Sequence, residues 1–478
     1  MKEKAGKILK KIYDFSVSEN FIWLATLIVF VGWATKAWAA MLCVLALLCA
    51  LPLYFGDSNK TLLTFFFQFT FIISSGRHAL NDYWWLLFLL LPLLVGVVFQ
   101  TIRYRKKMAW KILSLKNIKG QNFFLLLFSV PFAIGGITRQ HEKPVVVILA
   151  FAIILLIGAV YSFFMASNYG REDKKELPTY VLKNLIAVGV LISAQMLFFY
   201  ASCGSMDAII EAIRLKTHEL GWGGPNNVGA MYTFTIPAAF YYCVKKGRWT
   251  PLFAILSMAE FAILLSTGSR GSIFVVLLAL PAILLYTMAV TPNKKAFGIT
   301  ICVVIFIGLA VALWQSDKIF KALGDRFAMG LSSNGRLEFE YPAGWAAFKS
   351  HPIFGCGWDY MMGTKINDGY TPLWFHCSPL QVAAMMGVFG FIIYALWTFQ
   401  RYRAFYLLRA DKRVVYLAAS MLLFEGYGLV DVAFFAPTFF IMMIIIVFSC
   451  EVNLPVDAGF AIPRKWFVKK PIEPADEG

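Results

Sequence analysis

Charge is scarce in this chain. Asp, Glu, Lys and Arg make up only 15% of its 478 residues, against roughly a quarter in an average globular domain, which argues against a soluble globular protein. The common metal devices are missing too: there is no HExxH, no Asp-x-Asp pair and no Cys/His ligand set, which excludes the familiar zinc and divalent-cation motifs. No GxxxxGK[ST] stretch occurs, so bound phosphates would not rest on a nucleotide-binding loop. The eight cysteines are scattered, five of them inside apolar runs, and none forms a CxxC pair, which leaves no zinc or redox signature. Internal repeats, low-complexity tracts and long linkers are absent as well, so a single domain over residues 1–478 is expected.

What the chain has instead is apolar length. Hydrophobic residues make up 59% of it, in runs of about 20 residues, the length at which a helix crosses a bilayer. Candidate spans are 21–35, 37–55, 61–75, 83–102, 122–138, 144–166, 180–200, 228–244, 251–266, 272–290, 296–314, 379–397, 414–430 and 434–450. The first and third are short, so the fold expected is an all-α polytopic membrane protein of about twelve to fourteen transmembrane helices. The basic amphipathic start "MKEKAGKILKK" has the character of a signal peptide's charged region. No small-residue cleavage site follows it, so it is read as leading into an uncleaved first helix.

The net charge of +17 invites a nucleic-acid reading, and its distribution removes it. With the N-terminus inside, inward-facing segments hold 31 of the 44 Lys and Arg and outward-facing segments hold 13. The largest inward cluster is "RYRKKMAWK", residues 103–111. This is the positive-inside asymmetry, which places both termini in the cytoplasm. The basic excess reports topology, and no nucleic-acid partner is expected.

Two outward segments exceed simple connections: residues 201–227, whose centre has helical periodicity, and residues 315–378, between the eleventh and twelfth predicted spans. Within the second, "SDKIFKALGDRFAMGL" reads as an amphipathic helix, and "RLEFEYPAGWAAFKSHP" as an interfacial helix interrupted or restarted at Pro342. A structured loop that long usually has a task. All five histidines (His78, His141, His218, His351 and His376) fall on this outer side. Cys203, Cys356 and Cys377 also do; three thiols allow at most one disulfide, and spacing does not choose it.

Arg270 stands between two apolar runs in "LLSTGSRGSIFVVLL", with no neutralising neighbour in sequence. A charge beside hydrocarbon costs several kcal/mol unless it reaches water or a partner. Topology puts Arg270 at an outer turn, on the face where it can meet Arg336 of "SSNGRLEFE" and His376 of "WFHCSPLQ". Guanidinium forks bind phosphate oxygens bidentately, and an imidazole can take a proton from a hydroxyl at ambient pH. Each residue also has a plainer role open to it. Arg270 can be an interfacial anchor, Arg336 can pair with Glu338 or Glu340, His376 can be an ordinary loop histidine, and Asn226 can be a turn or helix cap. Glu260 lies inside a span and calls for a partner on another helix or a function. Glu425 and Asp431 flank the last outer turn, within reach of the site. Trp222, Trp345, Trp358 and Trp374 suit an interfacial aromatic belt or sugar stacking.

Three stretches in order resemble the O-antigen ligase and polymerase superfamily of bacterial envelope glycan assembly. "TGSRGS" is similar to its Ser-Arg-Gly turn between spans. "GRLEFEYPAGWAAFKSHPIFGCGW" is similar to its Gly-Arg, Trp and Pro-hydrophobic-Phe-Gly-x-Gly series, and "HCSPLQVAAMMGVFGF" to its His-Asn-x-x-Leu-Gln with paired glycines following. Cys377 stands where asparagine is usual. "GWGGPNNVGAMYTF" looks like the Pro-Asn stretch that opens an earlier span, and the similarity runs from about Trp222 to Gly428.

The resemblance implies a GT-C type glycosyltransferase on the outer leaflet of the bacterial inner membrane, metal-independent, inverting and without a cofactor. Its donor would be an oligosaccharide on undecaprenyl pyrophosphate. His376 would deprotonate the acceptor sugar hydroxyl, and Arg270 and Arg336 would hold the pyrophosphate as it leaves. Ser269, Asn226, Glu338 and Trp345 would bind substrate. A polymerase of surface polysaccharide repeats is slightly favoured on family base rates over a ligase to lipid A core or another envelope acceptor. A chain-length regulator and a flippase of the same pathway are the protein partners implied. A secondary transporter or flippase would instead show paired intramembrane acids and repeat symmetry, which are not found, and a scaffold without chemistry leaves the outer arginines and histidine unexplained.

Overall fold

The computed structural model describes residues 2–75, 88, 90–110, 120–137, 144–245, 247–314, 335–357 and 374–454. Among them the chain is helical, with no strand. The helices are α1 (Lys2–Ser16), α2 (Glu19–Ala34), α3 (Trp38–Phe55), α4 (Lys60–Gln68), α5 (Leu91–Tyr104), α6 (Gly120–Ile137) and α7 (Pro144–Asn168). They continue as α8 (Leu177–Ser202), α9 (Met206–Leu215), α10 (Pro225–Lys245), α11 (Thr250–Ser266), α12 (Arg270–Val290) and α13 (Lys294–Trp314). The last four are α14 (Tyr341–Ser350), α15 (Ser378–Leu407), α16 (Lys412–Tyr427) and α17 (Pro437–Glu451).

Every predicted span overlaps one of these helices, although residues 83–87 and 89 of the fourth lie outside the described residues. Among the described residues six helices are long and apolar enough to cross a membrane, or seven if α1 and α2, bent by 74°, count as one span. Other predicted spans fall on shorter apolar helices, among them α4, α5 and α17, and on α6 and α7, which are 18 and 25 residues long. Helix is the expected outcome for such runs, because in hydrocarbon each backbone N–H and C=O must be satisfied within the segment. The chain is a polytopic membrane protein. In the segment 201–227 the periodic centre is α9. Residues 315–334, His78, His141 and Trp358 lie outside the described residues.

α10 is the hub. Val228 through Cys243 are buried without a break, packed among α8, α11, α12 and α16. That enclosure explains why its sequence is more polar than a lipid-facing span. The Tyr232 and Ser193 hydroxyls lie 3.0 Å apart, and Thr235 donates to the buried Glu260 carboxyl at 2.8 Å. Pro237 interrupts the ladder, and beside it Ser420 donates to the Phe234 carbonyl at 2.7 Å. Glu260 thus finds its partner on another helix, with Gly189 of α8 so close that a Cβ there would lie 2.2 Å from Oε1.

α15 is broken near its start. Gly387 has φ 64° and ψ −165°, a conformation that suits glycine. The break frees backbone groups, and residues 352–357 take them up. Val388 N–H donates to Pro352 O at 2.8 Å, Cys356 N–H to Ala384 O at 2.8 Å, and Gly357 N–H to Met385 O at 2.9 Å. Backbone lies on backbone there: a Cβ on Gly355 would sit 2.1 Å from Met385 C, and one on Gly387 2.4 Å from Ile353 C. The glycines of "HPIFGCG" and "GVFG" therefore dock residues 352–357 onto α15, which begins two residues after His376.

Candidate active site

The site assembles around the turn between α16 and α17. Tyr427 ends α16, and Asp431 follows, 8% exposed. The Asp431 carboxylate collects four donors: Val432 N–H at 2.7 Å and His376 Nδ1 at 3.1 Å on Oδ1, with the Tyr427 hydroxyl at 2.5 Å and Asn226 Nδ2 at 3.5 Å on Oδ2. Burial pushes this carboxyl up, but the bonds from His376, Tyr427 and Val432 outweigh it and hold Asp431 below the usual aspartate range. An ionised carboxylate can only accept, so Nδ1 of His376 is assigned the proton. In the neutral ring that leaves the Nε2 lone pair open.

His376 sits in the left-handed region at φ 45°, an uncommon conformation for a side chain other than glycine, of a kind that persists only where surroundings enforce it. Here Phe375 N–H donates to Gln381 Oε1 at 2.9 Å, Ser378 N–H to Gly428 O at 2.7 Å, and Ser378 Oγ to Asp431 O at 3.1 Å. The Gln and Ser of "HCSPLQ" thus aim the histidine. Cys377 is half-buried, and burial raises its thiol.

Arg336 reaches the same turn from the outer loop. Gly335 at φ 87° starts a single π turn, Arg336–Glu340, and Pro342 opens α14. Arg336 Nη1 donates to Val430 O at 2.7 Å. Arg270 begins α12, and the following Gly271 packs so closely on the turn that a Cβ would lie 2.6 Å from Val430 and 3.2 Å from the Tyr427 ring. His376 and Arg336 therefore bind one short turn, 427–431, and Arg270 stands next to the glycine packed on it; neither arginine is among the residues lining the cavity beside it.

A cavity of about 600 Å³ opens beside it, lined by His376, Asp431, Asn226, Lys216, Trp222 and Trp374, among others. Two indoles fix its rim: Trp33 Nε1 donates to Leu220 O at 2.7 Å and Trp222 Nε1 to Gln195 Oε1 at 2.9 Å. Lys216 ends α9 at φ 55° and leans on Gly268, whose Cβ would lie 3.3 Å from Lys216 Cε. Ser269 is buried, its hydroxyl 2.5 Å from that of Ser272 and against Gly229 of α10. Glu338 is exposed, and Trp345, half exposed, stacks on Phe348; neither is among the cavity's lining residues. Glu425 is taken by the fully buried Arg401 at 3.0 and 2.6 Å. None of the described cysteines forms a disulfide; Cys356 donates to Ala347 O at 3.2 Å. Among the described residues no three His, Cys, Asp or Glu side chains are placed to share a metal ion.

The sequence marked Asp431 only as a residue within reach, and did not single out Tyr427. The signal available was one acid in the otherwise apolar "GLVDVAFF". It carries no position relative to His376, which only the fold supplies.

Fold and site together define a polytopic membrane protein in which a buried aspartate holds a partly exposed histidine, with Arg336 bound to the same turn and Arg270 next to the glycine packed on it. Residues 253–395 match the family model described as O-Antigen ligase, so this region is similar to that family. The match includes Arg270, Arg336 and His376; Asn226, Tyr427 and Asp431 lie outside it. No curated protein and no solved structure is found to match the chain.

Proposed function

We propose that the protein is a GT-C type membrane glycosyltransferase that moves a glycan from undecaprenyl pyrophosphate to an acceptor sugar hydroxyl at the outer face of the bacterial inner membrane, both termini being cytoplasmic. The observation that carries this reading is His376, held through Nδ1 by a buried carboxylate at 3.1 Å and leaving Nε2 to act as a base. Nε2 takes the acceptor's proton as its oxygen attacks the anomeric carbon. The bond from that carbon to the phosphate oxygen breaks with inversion, and the electron pair leaves on the pyrophosphate. Arg336 and Arg270 stabilise that charge as fixed cations, so no metal is required. Asn226 and the two cavity tryptophans suit a saccharide, with apolar faces for the ring and amides for its hydroxyls.

A polymerase uses another lipid-linked repeat as acceptor and a ligase a different envelope molecule; the same groups serve both, and polymerase is slightly favoured. The test is turnover of lipid-pyrophosphate glycan by the purified protein with chelator present. Activity lost to chelator sinks the metal-free mechanism. In a deletion strain, chains cut to a single repeat indicate a polymerase, and accumulated long lipid-linked chains indicate a ligase.

A further inference from the structure

Glu340 is a buried acid that the mechanism above does not use. It closes the π turn that begins at Arg336 and is only 9% exposed. Its Oε1 lies 3.8 Å from His376 Nε2 and its Oε2 lies 3.9 Å from Arg336 Nε. Both separations are too long for hydrogen bonds, and among the described residues buried Oε2 has no hydrogen-bond partner. Leaving a buried carboxylate oxygen in that condition is unfavourable, so its placement calls for a reason.

The chemistry of His376 supplies one. With Nδ1–H donated to Asp431, Nε2 of the neutral ring carries a lone pair. A lone pair and a carboxylate oxygen are both acceptors, and they stand off from one another. Once Nε2 takes a proton the same two atoms become a charged donor and a charged acceptor. The interaction is therefore far stronger in the protonated state formed during reaction than before it, which is the condition for stabilising a transition state and not merely a ground state.

We infer that Glu340 is a positioning residue acting through His376, a second carboxylate that strengthens the base and stabilises the imidazolium formed as the acceptor loses its proton. This rests on the reading of His376 as the base. The groups facing His376 are Asp431 from the turn after α16, Glu340 from the outer loop, and Tyr341 and Cys377. Burial raises both Tyr341 and Cys377, so they stay uncharged near neutrality. Arg336 opposes the carboxylates, and Lys216 and Glu219 line the same cavity. Burial also raises Glu340 itself, while His376 and Arg336 pull it back.

Glu340→Gln keeps the shape and removes the charge. Using lipid-pyrophosphate glycan extracted from the source cells, kcat is expected to fall about tenfold. The acid limb of the pH–rate profile moves to lower pH by roughly one unit, because losing a nearby negative charge weakens proton binding by the imidazole. The KM for the donor stays level or falls, since Glu340 repels phosphate. Glu340→Asp retains the charge and returns the limb toward the wild-type position. An unmoved limb in Glu340→Gln reduces Glu340 to a counter-ion of Arg336 and overturns the assignment, and so does a raised KM together with a lowered Tm. A second measurement needs no substrate: NMR titration of 13C-labelled histidine, with His376 identified by its loss in His376→Gln. The His376 midpoint falls in Glu340→Gln if the inference holds and stays put if it does not. Absent wild-type turnover with a shifted midpoint would sink the glycosyltransferase reading while leaving the electrostatic one standing.

Discussion

The two ends of the helix bundle handle charge in opposite ways. At the end where the sequence places the cytoplasm, ion pairs close fully. Arg171 clasps Asp57 at 2.9 Å and Asp173 at 2.8 Å, Lys183 meets Glu19 at 2.7 Å, and Arg413 meets Asp411 at 2.6 Å. At the site end His376 closes on Asp431 at 3.1 Å and Arg214 on Glu211 at 2.6 Å, but one acid is brought near two cationic partners without closing. Glu340 stands 3.8 Å from His376 and 3.9 Å from Arg336, and Arg336 donates to a main-chain carbonyl at 2.7 Å instead. The first end satisfies its charges internally, as loop connections between spans require. The second keeps electrostatic capacity for something that binds or forms there, and so changes in charge should have contrasting effects at the two ends.

The largest effect expected is on the base. His376→Ala should lower turnover of lipid-pyrophosphate glycan by about 10³-fold with the protein still folded, and near wild-type turnover would end its assignment. Asp431→Asn comes next. It keeps the shape but permits the wrong tautomer, and a loss on the order of 10²-fold is expected, visible in kcat with the circular dichroism spectrum unchanged. Arg336→Lys and Arg270→Lys keep charge but lose the fork, and each should cost about tenfold, read as weaker donor use. The matching change at the other end, Arg171→Lys, should leave turnover intact; if it does not, the contrast between the ends is wrong.

The smallest effect is on stability, and here the signs differ. Burial would raise the Asp57 carboxyl, but Arg171 and Lys107 hold it below the usual range. A depressed carboxyl stabilises the fold above the ordinary aspartate value of about 3.9, and that contribution fades as pH falls through the depressed value. Asp57→Asn should therefore lower Tm by a few degrees between pH 5 and 8, with the gap closing in acid. Glu340 is raised by burial, so its ionised form is disfavoured by folding. Glu340→Gln should match or exceed wild-type Tm at pH 7, with any advantage vanishing below the ordinary glutamate value of about 4.3. Thermal melts across that pH range read both.

Much of the architecture was legible because hydropathy is local. A run such as 272–290 declares a membrane helix wherever it sits, and so α12 appears where expected. α10 was legible as a span, but not as the hub, since its Thr and Tyr residues acquire partners only from α8, α11 and α16. Arg270, Arg336 and His376 could be placed on one face because counting spans assigns sides. Glu425 illustrates the limit: side-counting put it near the site, and packing gave it to Arg401 at 2.6 Å.

By itself, then, the sequence determined the class of protein, the uneven division of its charge between alternate loops and the three residues around which a phosphate-and-base site is argued. Each of these follows from composition over a window of one span or from a short motif. The tertiary structure alone decided that Asp431 bonds His376, that Asn226 meets Asp431 from 205 positions away, that Gly355 and Gly387 seat residues 352–357 on α15, and that Glu340 faces His376 without touching it. Those depend on distances between segments remote in the chain, which no local pattern of hydropathy or charge encodes.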